Sequence, residues 1–212
     1  MVRGNFVGIT QRQIAIAALE LAEDRGAEAL TMKSLATALD RRPSSLYNHI
    51  TGRDDLIERM REVIVEDIDT SSFATKPWDA ALIDWASSYL AAFASRQNSI
   101  KLLATTPISD PSTVRMYDTV ISALYAGGWS GGEAVSVMRT VEAHVLGSAL
   151  DTIAPSSLLA ADVVPTELVT LRQALDPNHD AQTSASAAFD LGIHALVSGL
   201  RDVLAKRGAA EV

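Results

Sequence analysis

The sequence predicts an all-α protein in which an N-terminal three-helix helix-turn-helix domain precedes a larger helical domain. Aromatic residues make up only 5% of the chain, and no stretch alternates polar and apolar residues as a strand would. Apolar residues instead recur with the period of an α-helix, in segments separated by Gly, Pro and polar residues. With 212 residues, the chain can bury a substantial core, either as one large domain or as a small domain joined to a larger one.

The first two helices carry recognisable start signals. Thr10 can form a capping box with Gln13, and Gly26 is placed to end this helix in the left-handed conformation. Thr31 can cap a second helix that runs to Ala38 and buries its leucines on one face.

The stretch from Arg41 to Arg53 predicts the DNA-reading helix of a helix-turn-helix. Pro43 suits the first helical position, because its missing N–H would have no partner there and its φ is already helical. Leu46 and Ile50 lie four residues apart and can bury together against the second helix.

The outward side of this stretch carries small or planar hydrogen-bonding side chains with arginines at both ends. Asn can pair with adenine, while Arg, Ser, Thr and Tyr can hold phosphates. Thr31 at its helix start, beside Lys33, can also hold a phosphate. An ordinary polar helix face remains the alternative interpretation.

The charge distribution allows DNA contact only at the N-terminal end. The net charge is −8, but residues 1–55 hold seven basic and seven acidic residues. The remaining 11 basic and 19 acidic residues therefore carry all of the net negative charge. We expect this acidic part to face away from DNA.

Further helices follow the helix-turn-helix. A connecting helix at about 53–68 leads into the polar segment 69–77, so we place the first domain at 1–55 and the second at 69–212. Helices of the second domain are predicted at about 77–96, 99–105, 109–127, 133–153, 166–175 and 185–206. The helices at about 133–153 and 185–206 have wide apolar stripes edged by small residues, which favours a homodimer made by a four-helix bundle. Ordinary core packing would also account for these stripes.

The N-terminal residues resemble the DNA-binding domain of the tetracycline-repressor (TetR) family. The resemblance rests on Leu30-Thr31, Leu35-Ala36, Leu39 and Leu46-Tyr47-Asn48-His49 in their spacing. This chain departs from the family at the turn, where Asp40 stands in place of Gly and two arginines follow it. Together with the residues above, the resemblance gives the predicted DNA-binding residues Thr31, Lys33, Arg41, Arg42, Ser44, Ser45, Tyr47, Asn48, His49 and Arg53.

The C-terminal half resembles the ligand domain of the same family's tetracycline-repressor branch, on Thr105-Thr106-Pro107, Gly128-Trp129 and the segment 146–151. The resemblance, with an aromatic stripe that includes Trp85, implies a ligand site formed by Asp84, Trp85, Ser88, Leu102, Pro107, Tyr117, Val120 and Met138. Leu102 stands where that branch has a metal-holding His, so we expect an apolar small molecule rather than a magnesium–tetracycline complex.

Catalytic and metal-binding chemistry have little support. The chain has no cysteine, and its four histidines lack metal-ligand spacing. Glu142 and His144 are two positions apart on a helix and do not face each other. We therefore predict no cofactor, no metal site and no enzymatic activity. The N-terminal sequence lacks a signal peptide's apolar core, and no apolar run approaches the length of a membrane span, so a cytoplasmic location is expected.

The resulting hypothesis is a ligand-responsive DNA-binding transcriptional regulator, expected to be a homodimeric repressor that an apolar small molecule releases from a pseudo-palindromic operator. An activator would differ only in operator position. The alternative hypothesis, from another functional class, is a helical small-molecule carrier or enzyme with a vestigial helix-turn-helix.

Overall fold

The computed structural model describes residues 8–94, 96–152, 161–176 and 184–210, and over these ranges it contains helices and no strand. The helices are α1 (Gln11–Arg25), α2 (Met32–Ala38), α3 (Pro43–Leu46), α4 (Arg53–Val65), α5 (Trp78–Phe93), α6 (Gln97–Ala104), α7 (Pro111–Ala126), α8 (Gly131–Asp151), α9 (Val169–Ala174) and α10 (Ala185–Ala210). Short 3-10 turns lie at Ala27–Ala29, Ser71–Ala74 and Ala161–Val163. The all-α prediction is confirmed.

The chain forms two compact units. Unit 1 consists of residues 1–68 and 95–116, and unit 2 consists of residues 69–94 and 117–212. The chain passes from unit 1 to unit 2 after Ile68, returns to unit 1 for residues 95–116, and enters unit 2 again at Tyr117. Residues 95–116 bring α6 and the start of α7 into unit 1.

In unit 1, α1 packs against α4, α2 and α6, and α2 packs against α3. Its core includes fully enclosed aliphatic side chains from α1, α2 and α4. The predicted start signals are present: Thr10 accepts from the backbone N–H of Gln13, whose side chain accepts from Thr10 in return. Gly26 has the expected positive φ of +82°, but its ψ of 152° is extended rather than left-handed helical. It therefore leads directly into the 3-10 turn instead of closing α1 with a left-handed cap.

In unit 2, α8 packs against both α5 and α10, and α10 also packs against α5. Trp78 and Trp129 meet edge to face at 5.7 Å, and Arg207 lies 5.3 Å above the Trp129 ring. Gly127 is required beside them, because a Cβ there would lie 2.2 Å from Trp78 Cδ1.

Several predicted helix ends differ from the structure. The helix at α5 ends at Phe93 rather than near Arg96, and α9 begins at Val169 rather than Thr166. Helix α10 continues to Ala210, four residues past the predicted end. The N-terminal arm with Arg3, which could reach a phosphate or the minor groove, lies outside the described residues.

Candidate nucleic-acid interface

Buried leucine and isoleucine side chains hold the helix-turn-helix in place. Leu35 of α2, Leu46 of α3 and Ile50 are all 0% exposed. Leu30, just before α2, is 1% exposed. Because these side chains are enclosed, the polar residues between them are left on the outer surface.

The turn between α2 and α3 closes with a backbone motif that normally uses glycine. Asp40 has φ of +50°, and its N–H donates to the Thr37 carbonyl at 3.1 Å. The Arg41 N–H donates to the Ala36 carbonyl at 2.9 Å, which completes a Schellman motif. Asp tolerates the left-handed region better than most residues. The departure of this chain from the family's Gly therefore keeps the turn.

Helix α3 is shorter than the sequence suggests. Pro43 occupies its first turn as expected, but the α-helix ends at Leu46. The chain continues as hydrogen-bonded turns, in which His49 and Ile50 both donate to the Leu46 carbonyl at 2.9 Å. Tyr47 and Asn48 consequently lie on this turn rather than inside a long helix.

Several of the predicted DNA-binding side chains line two depressions on the surface of unit 1. A shallow groove is lined by Asp40, Arg41, Arg42, Ser44, Ser45 and Asn48. Tyr47 is 55% exposed although it is a large aromatic residue. A second depression is formed by residues that precede this groove in the sequence. It is lined by Arg25, Thr31, Lys33, Ser34, Thr37 and Ala38. The predicted residues thus fall into two groups, one around the start of α3 and one around the start of α2.

Most of these side chains have no partner within the protein. Over the described ranges, no side-chain hydrogen bond or ion pair is formed by Lys33, Arg42, Ser44, Ser45, Tyr47, Asn48 or His49. Exposed polar groups without internal partners are available to phosphate oxygens and base edges. Arg41 uses one guanidinium nitrogen on the Asp40 carbonyl, at 3.0 Å.

Two of the predicted DNA-binding residues, Thr31 and Arg53, also form hydrogen bonds within the protein. Thr31 Oγ1 accepts from the Ser34 N–H at 3.0 Å and so caps α2, as predicted. Arg53, the first residue of α4, donates from Nη1 to the Leu30 carbonyl at 2.9 Å. This bond brings the start of α4 next to the start of α2.

A buried carboxylate on α4 holds the start of α7. Glu58 Oε2 accepts from the backbone N–H groups of Ser109 at 2.6 Å and Asp110 at 2.5 Å. Its Oε1 accepts from Arg61 Nε at 3.0 Å, and Arg61 Nη2 donates to the Thr106 carbonyl at 3.1 Å. Both side chains of this ion pair are 9% exposed. The segment from Thr106 to Asp110 is thereby attached to α4, the helix that follows α3.

A second carboxylate, Glu23 on α1, accepts hydrogen bonds from the start of α6 in the same way. Glu23 Oε1 accepts from the Ser99 N–H at 3.1 Å and the Ser99 hydroxyl at 2.8 Å, and Oε2 accepts from the Asn98 N–H at 2.9 Å. Glu23 therefore supplies α6 with the N-terminal acceptors that its own sequence lacks. Neither Glu23 nor Glu58 was expected from the sequence. For Glu58, the available signal was a carboxylate between apolar residues on the inner face of α4.

The residues expected to form a ligand site are divided between the units. Trp85, Val120 and Met138 are buried in unit 2. Asp84 accepts from Ser72 Oγ and Lys76 Nζ, both at 2.6 Å, and Ser88 Oγ accepts from the Asp69 N–H at 2.6 Å. These two side chains hold the 69–76 segment on α5. Leu102 and Pro107 belong to unit 1.

Tyr117, the remaining member of the set, donates its hydroxyl to Glu142 on α8. Tyr89 on α5 donates to the same carboxylate oxygen at 2.8 Å. Glu142 and Tyr89 were absent from the expected site. As predicted, Glu142 does not pair with His144, whose ring stacks on Phe189 at 5.3 Å and whose Nε2 lies 3.1 Å from the Phe189 carbonyl.

Over the four described ranges, no group of three or more His, Asp or Glu side chains is arranged to hold a metal ion. In the same ranges, no helix is both long enough and apolar enough to span a membrane.

The family model described as "Tetracyclin repressor-like, C-terminal domain" matches residues 74–204. The chain belongs to the tetracycline-repressor family. The tetracycline repressor protein class E from Escherichia coli is 27% identical over 185 residues, which cover 86% of each chain.

Solved structures share the fold. A possible TetR family transcriptional regulator from Streptomyces coelicolor A3(2) has a TM-score of 0.70 at 25% identity, covering 91% of this chain and 99% of that one. The TetR family protein ActR from Streptomyces coelicolor, in complex with actinorhodin, has a TM-score of 0.75 at 20% identity, covering 92% of this chain and 96% of that one.

The Asp40 turn gives a stability prediction. Replacing Asp40 by Gly removes the strain of a positive φ, so we expect the free energy of unfolding to rise by about 0.5–1 kcal/mol in urea titrations. Asp24→Gly, inside the last turns of α1, should lower it by a similar amount, because glycine weakens a helix interior. A loss of stability in Asp40→Gly would contradict the role assigned to this turn.

The Glu58 carboxylate gives a pH prediction. Burial opposes its charge, but hydrogen bonds from Ser109, Arg61 and Asp110 outweigh burial and lower its pKa below the ordinary 4.5. A lowered folded pKa stabilises the protein above pH 4.5, and this contribution is lost as the pH falls through the folded pKa. Glu58→Gln should therefore cost about 1–3 kcal/mol at pH 7, with the difference shrinking at acidic pH.

The control is Glu62→Gln, which removes a carboxylate from the more exposed ion pair with Arg59 on the same helix. Its effect should stay within about 0.5 kcal/mol. Equal effects of the two substitutions in urea titrations at pH 7 would show that the buried contacts of Glu58 carry no special weight.

Proposed function

We propose that the protein is a ligand-responsive repressor that binds a pseudo-palindromic DNA operator as a homodimer and leaves it when a small molecule binds unit 2. The observation that carries this proposal is the exposed, unpaired polar surface around Arg42, Tyr47 and Asn48 on a helix-turn-helix frame. Its relatives in the family include proteins named as tetracycline repressors. Similarity to these repressors favours repression over activation, and transcriptional regulation over an enzymatic or carrier role.

DNA recognition is assigned to the ten residues predicted from the sequence. Asn48, with Arg41 or Arg42, reads base edges from the groove at the start of α3. Ser44, Ser45, Tyr47 and Arg53 hold phosphates, and Thr31 with Lys33 adds a phosphate contact from the start of α2. His49 lies at the end of the turn, where Gln11 holds its carbonyl at 2.8 Å.

Dimerisation is assigned to α8 and α10, the helices at the two predicted interface segments. Both helices expose large apolar side chains as well as burying an inner face. Val135 and Leu150 on α8 are 43% and 49% exposed, and Leu191 and Val203 on α10 are 74% and 46% exposed. A two-fold four-helix bundle would cover these side chains and separate the two DNA-binding heads by one or more helical turns.

The ligand is assigned to unit 2 and its effect to α4. Helix α4 begins at Arg53, beside the DNA-reading turn, and holds the start of α7 through Glu58. A ligand that shifts α7 would therefore move α4 and with it the reading head. This mechanism requires tighter ligand binding to the DNA-free state than to the DNA-bound state. The protein would act in the cytoplasm, where its DNA lies.

The DNA surface is tested by comparing two substitutions in fluorescence anisotropy titrations. The probe is the DNA upstream of the protein's own coding sequence, with random DNA as the reference. Asn48→Ala should cost about 1–3 kcal/mol on the specific probe and little on random DNA, because it removes base contacts. Lys33→Ala should weaken both and reduce the salt slope by about one.

Gln173→Ala is the matched control, since it removes an exposed amide from α9 in unit 2 and should leave DNA binding unchanged. One outcome is that the wild-type protein shows no preference for the upstream DNA over random DNA at any salt concentration. In that case, the operator sequence is sought by selection from a random DNA library. Failure of that selection as well would refute the proposed function.

The dimer is tested by placing a charge on the most exposed apolar residue of α10. Leu191→Glu should convert the dimer to monomer in sedimentation experiments, because a buried unpaired carboxylate is costly. Val114→Glu, on α7 in unit 1, changes a residue that is 52% exposed and should remain dimeric. An intact Leu191→Glu dimer would place the interface on another surface.

A further inference from the structure

Glu142, on α8, is the only carboxylate in the described part of unit 2 that accepts hydrogen bonds from two phenols. Tyr89 Oη, at 2.8 Å, and Tyr117 Oη both donate to Oε1. Over the described ranges, no group donates to the other oxygen, Oε2. The carboxylate is held in a fixed orientation, yet half of its capacity to accept hydrogen bonds is unused.

Three other carboxylates on the helices of unit 2 are paired with cations. Asp79 pairs with Arg201, Asp84 with Lys76, and Glu133 with Arg207. Among the residues that the structure describes, no Arg or Lys pairs with Glu142. A half-buried carboxylate without a cation is unfavourable for the free protein and attractive to a cationic ligand.

Tyr89 keeps its proton and is a neutral partner of the carboxylate. Burial, together with the nearby charge of Glu142, raises the pKa of Tyr89 well above 10.0. The phenol thus remains a neutral hydrogen-bond donor at physiological pH. It orients the carboxylate but leaves its negative charge in place.

A row of aromatic residues, three on α5 and Phe73 in the 3-10 turn before it, extends from this carboxylate. Ring centroids are 5.4 Å apart for Tyr89 and Phe93, 5.5 Å for Tyr89 and Trp85, and 6.4 Å for Trp85 and Phe73. The indole N–H of Trp85 is buried and has no acceptor. Buried donors almost always have a partner, so this one points to an acceptor that the protein itself does not provide. Aromatic faces also attract cations directly.

We propose that Glu142, Tyr89, Tyr117 and Trp85 form the recognition site for the effector, and that the effector is an aromatic amine protonated at neutral pH. Its ammonium group binds Glu142 Oε2, its ring packs in the aromatic row, and a hydrogen-bond acceptor on it meets the Trp85 N–H. This inference rests on the proposed function, because it names the chemical class of the ligand that releases DNA. It replaces the purely apolar ligand expected from Leu102 by an apolar body with one positive charge.

The test uses three naphthalenes that differ only in charge: 1-naphthylmethylammonium, 1-naphthalenemethanol and 1-naphthoate. Isothermal titration measures their binding to the full-length protein without DNA. We expect the ammonium compound to bind about tenfold or more tightly than the alcohol, and the carboxylate to bind most weakly. Equal affinities, or no binding of the ammonium compound at millimolar concentration, would overturn the inference.

Glu142→Gln separates a recognition role from a structural one. Its amide oxygen still accepts from both phenols, so the fold is retained while the charge is removed. The preference for ammonium over alcohol should fall to about onefold to twofold. Asp118→Asn removes the same charge from an exposed position on α7 and should keep the full preference. A preference that survives in Glu142→Gln would show that the carboxylate serves only to hold the tyrosines.

Tyr117→Phe provides a second check, because it removes one of the two donors to Oε1 but leaves the charge of Glu142 in place. The ammonium preference should persist in this variant. Loss of the preference in Tyr117→Phe but not in Glu142→Gln would assign recognition to the phenol and overturn the inference.

DNA release is measured separately, by anisotropy on operator DNA. If the protein binds its operator and a neutral compound releases it while the ammonium series shows no preference, the ligand class is wrong and the proposed function stands. If no operator exists but the Glu142-dependent preference is present, the ligand site stands and the proposed function fails.

Discussion

The burial of Leu35, Leu46 and Ile50 is the constraint on which the candidate DNA-binding surface depends. These three side chains are completely enclosed, and they fix the chain between them as a tight turn followed by one short helix. With the apolar residues inside, Ser44, Asn48 and their neighbours have only the outer surface to occupy. The position of the polar residues thus follows from the packing of apolar ones rather than from contacts of their own.

Carboxylates then connect this frame to the rest of unit 1. Glu23 binds the N-terminus of α6, and Glu58 binds the N-terminus of α7. Both use the same physical principle, since a negative charge satisfies free N–H groups and is stabilised by the positive end of a helix. Two acidic residues of unit 1 are thereby turned inward on backbone donors.

Unit 2 places its charges differently. Asp79, Asp84 and Glu133 are paired with cations and tie helices or loops together. Glu142 is held by neutral phenols instead, beside an aromatic row that contains an unsatisfied indole N–H. The contrast between these two uses of a carboxylate, one neutralised and one left charged, is what distinguishes a structural contact from a candidate recognition site in this unit.

The sequence by itself determined the local structure: the all-α class, the caps at Thr10 and Thr31, Pro43 at the start of α3, and the apolar stripes of the main helices. Each of these depends on residues within about one or two helical turns of each other, so their spacing is visible in the chain. The DNA-binding residues follow from the same local pattern and remain predictions. The short length of α3 and the extended ψ of Gly26 were not foreseen, because turns and tertiary packing override helical preference at such ends.

Only the tertiary structure decided which distant residues meet. Glu23 and Ser99 are 76 residues apart, and Tyr89 and Glu142 are 53 residues apart. No periodicity links such positions, since their contact depends on how the chain returns on itself after several helices. For the same reason, the sequence does not show that Glu23 and Glu58 bind residues 98, 99, 109 and 110 in unit 1. The physical cause is that the sequence gives the charge of each side chain, whereas its binding partner depends on which distant segments the fold brings together.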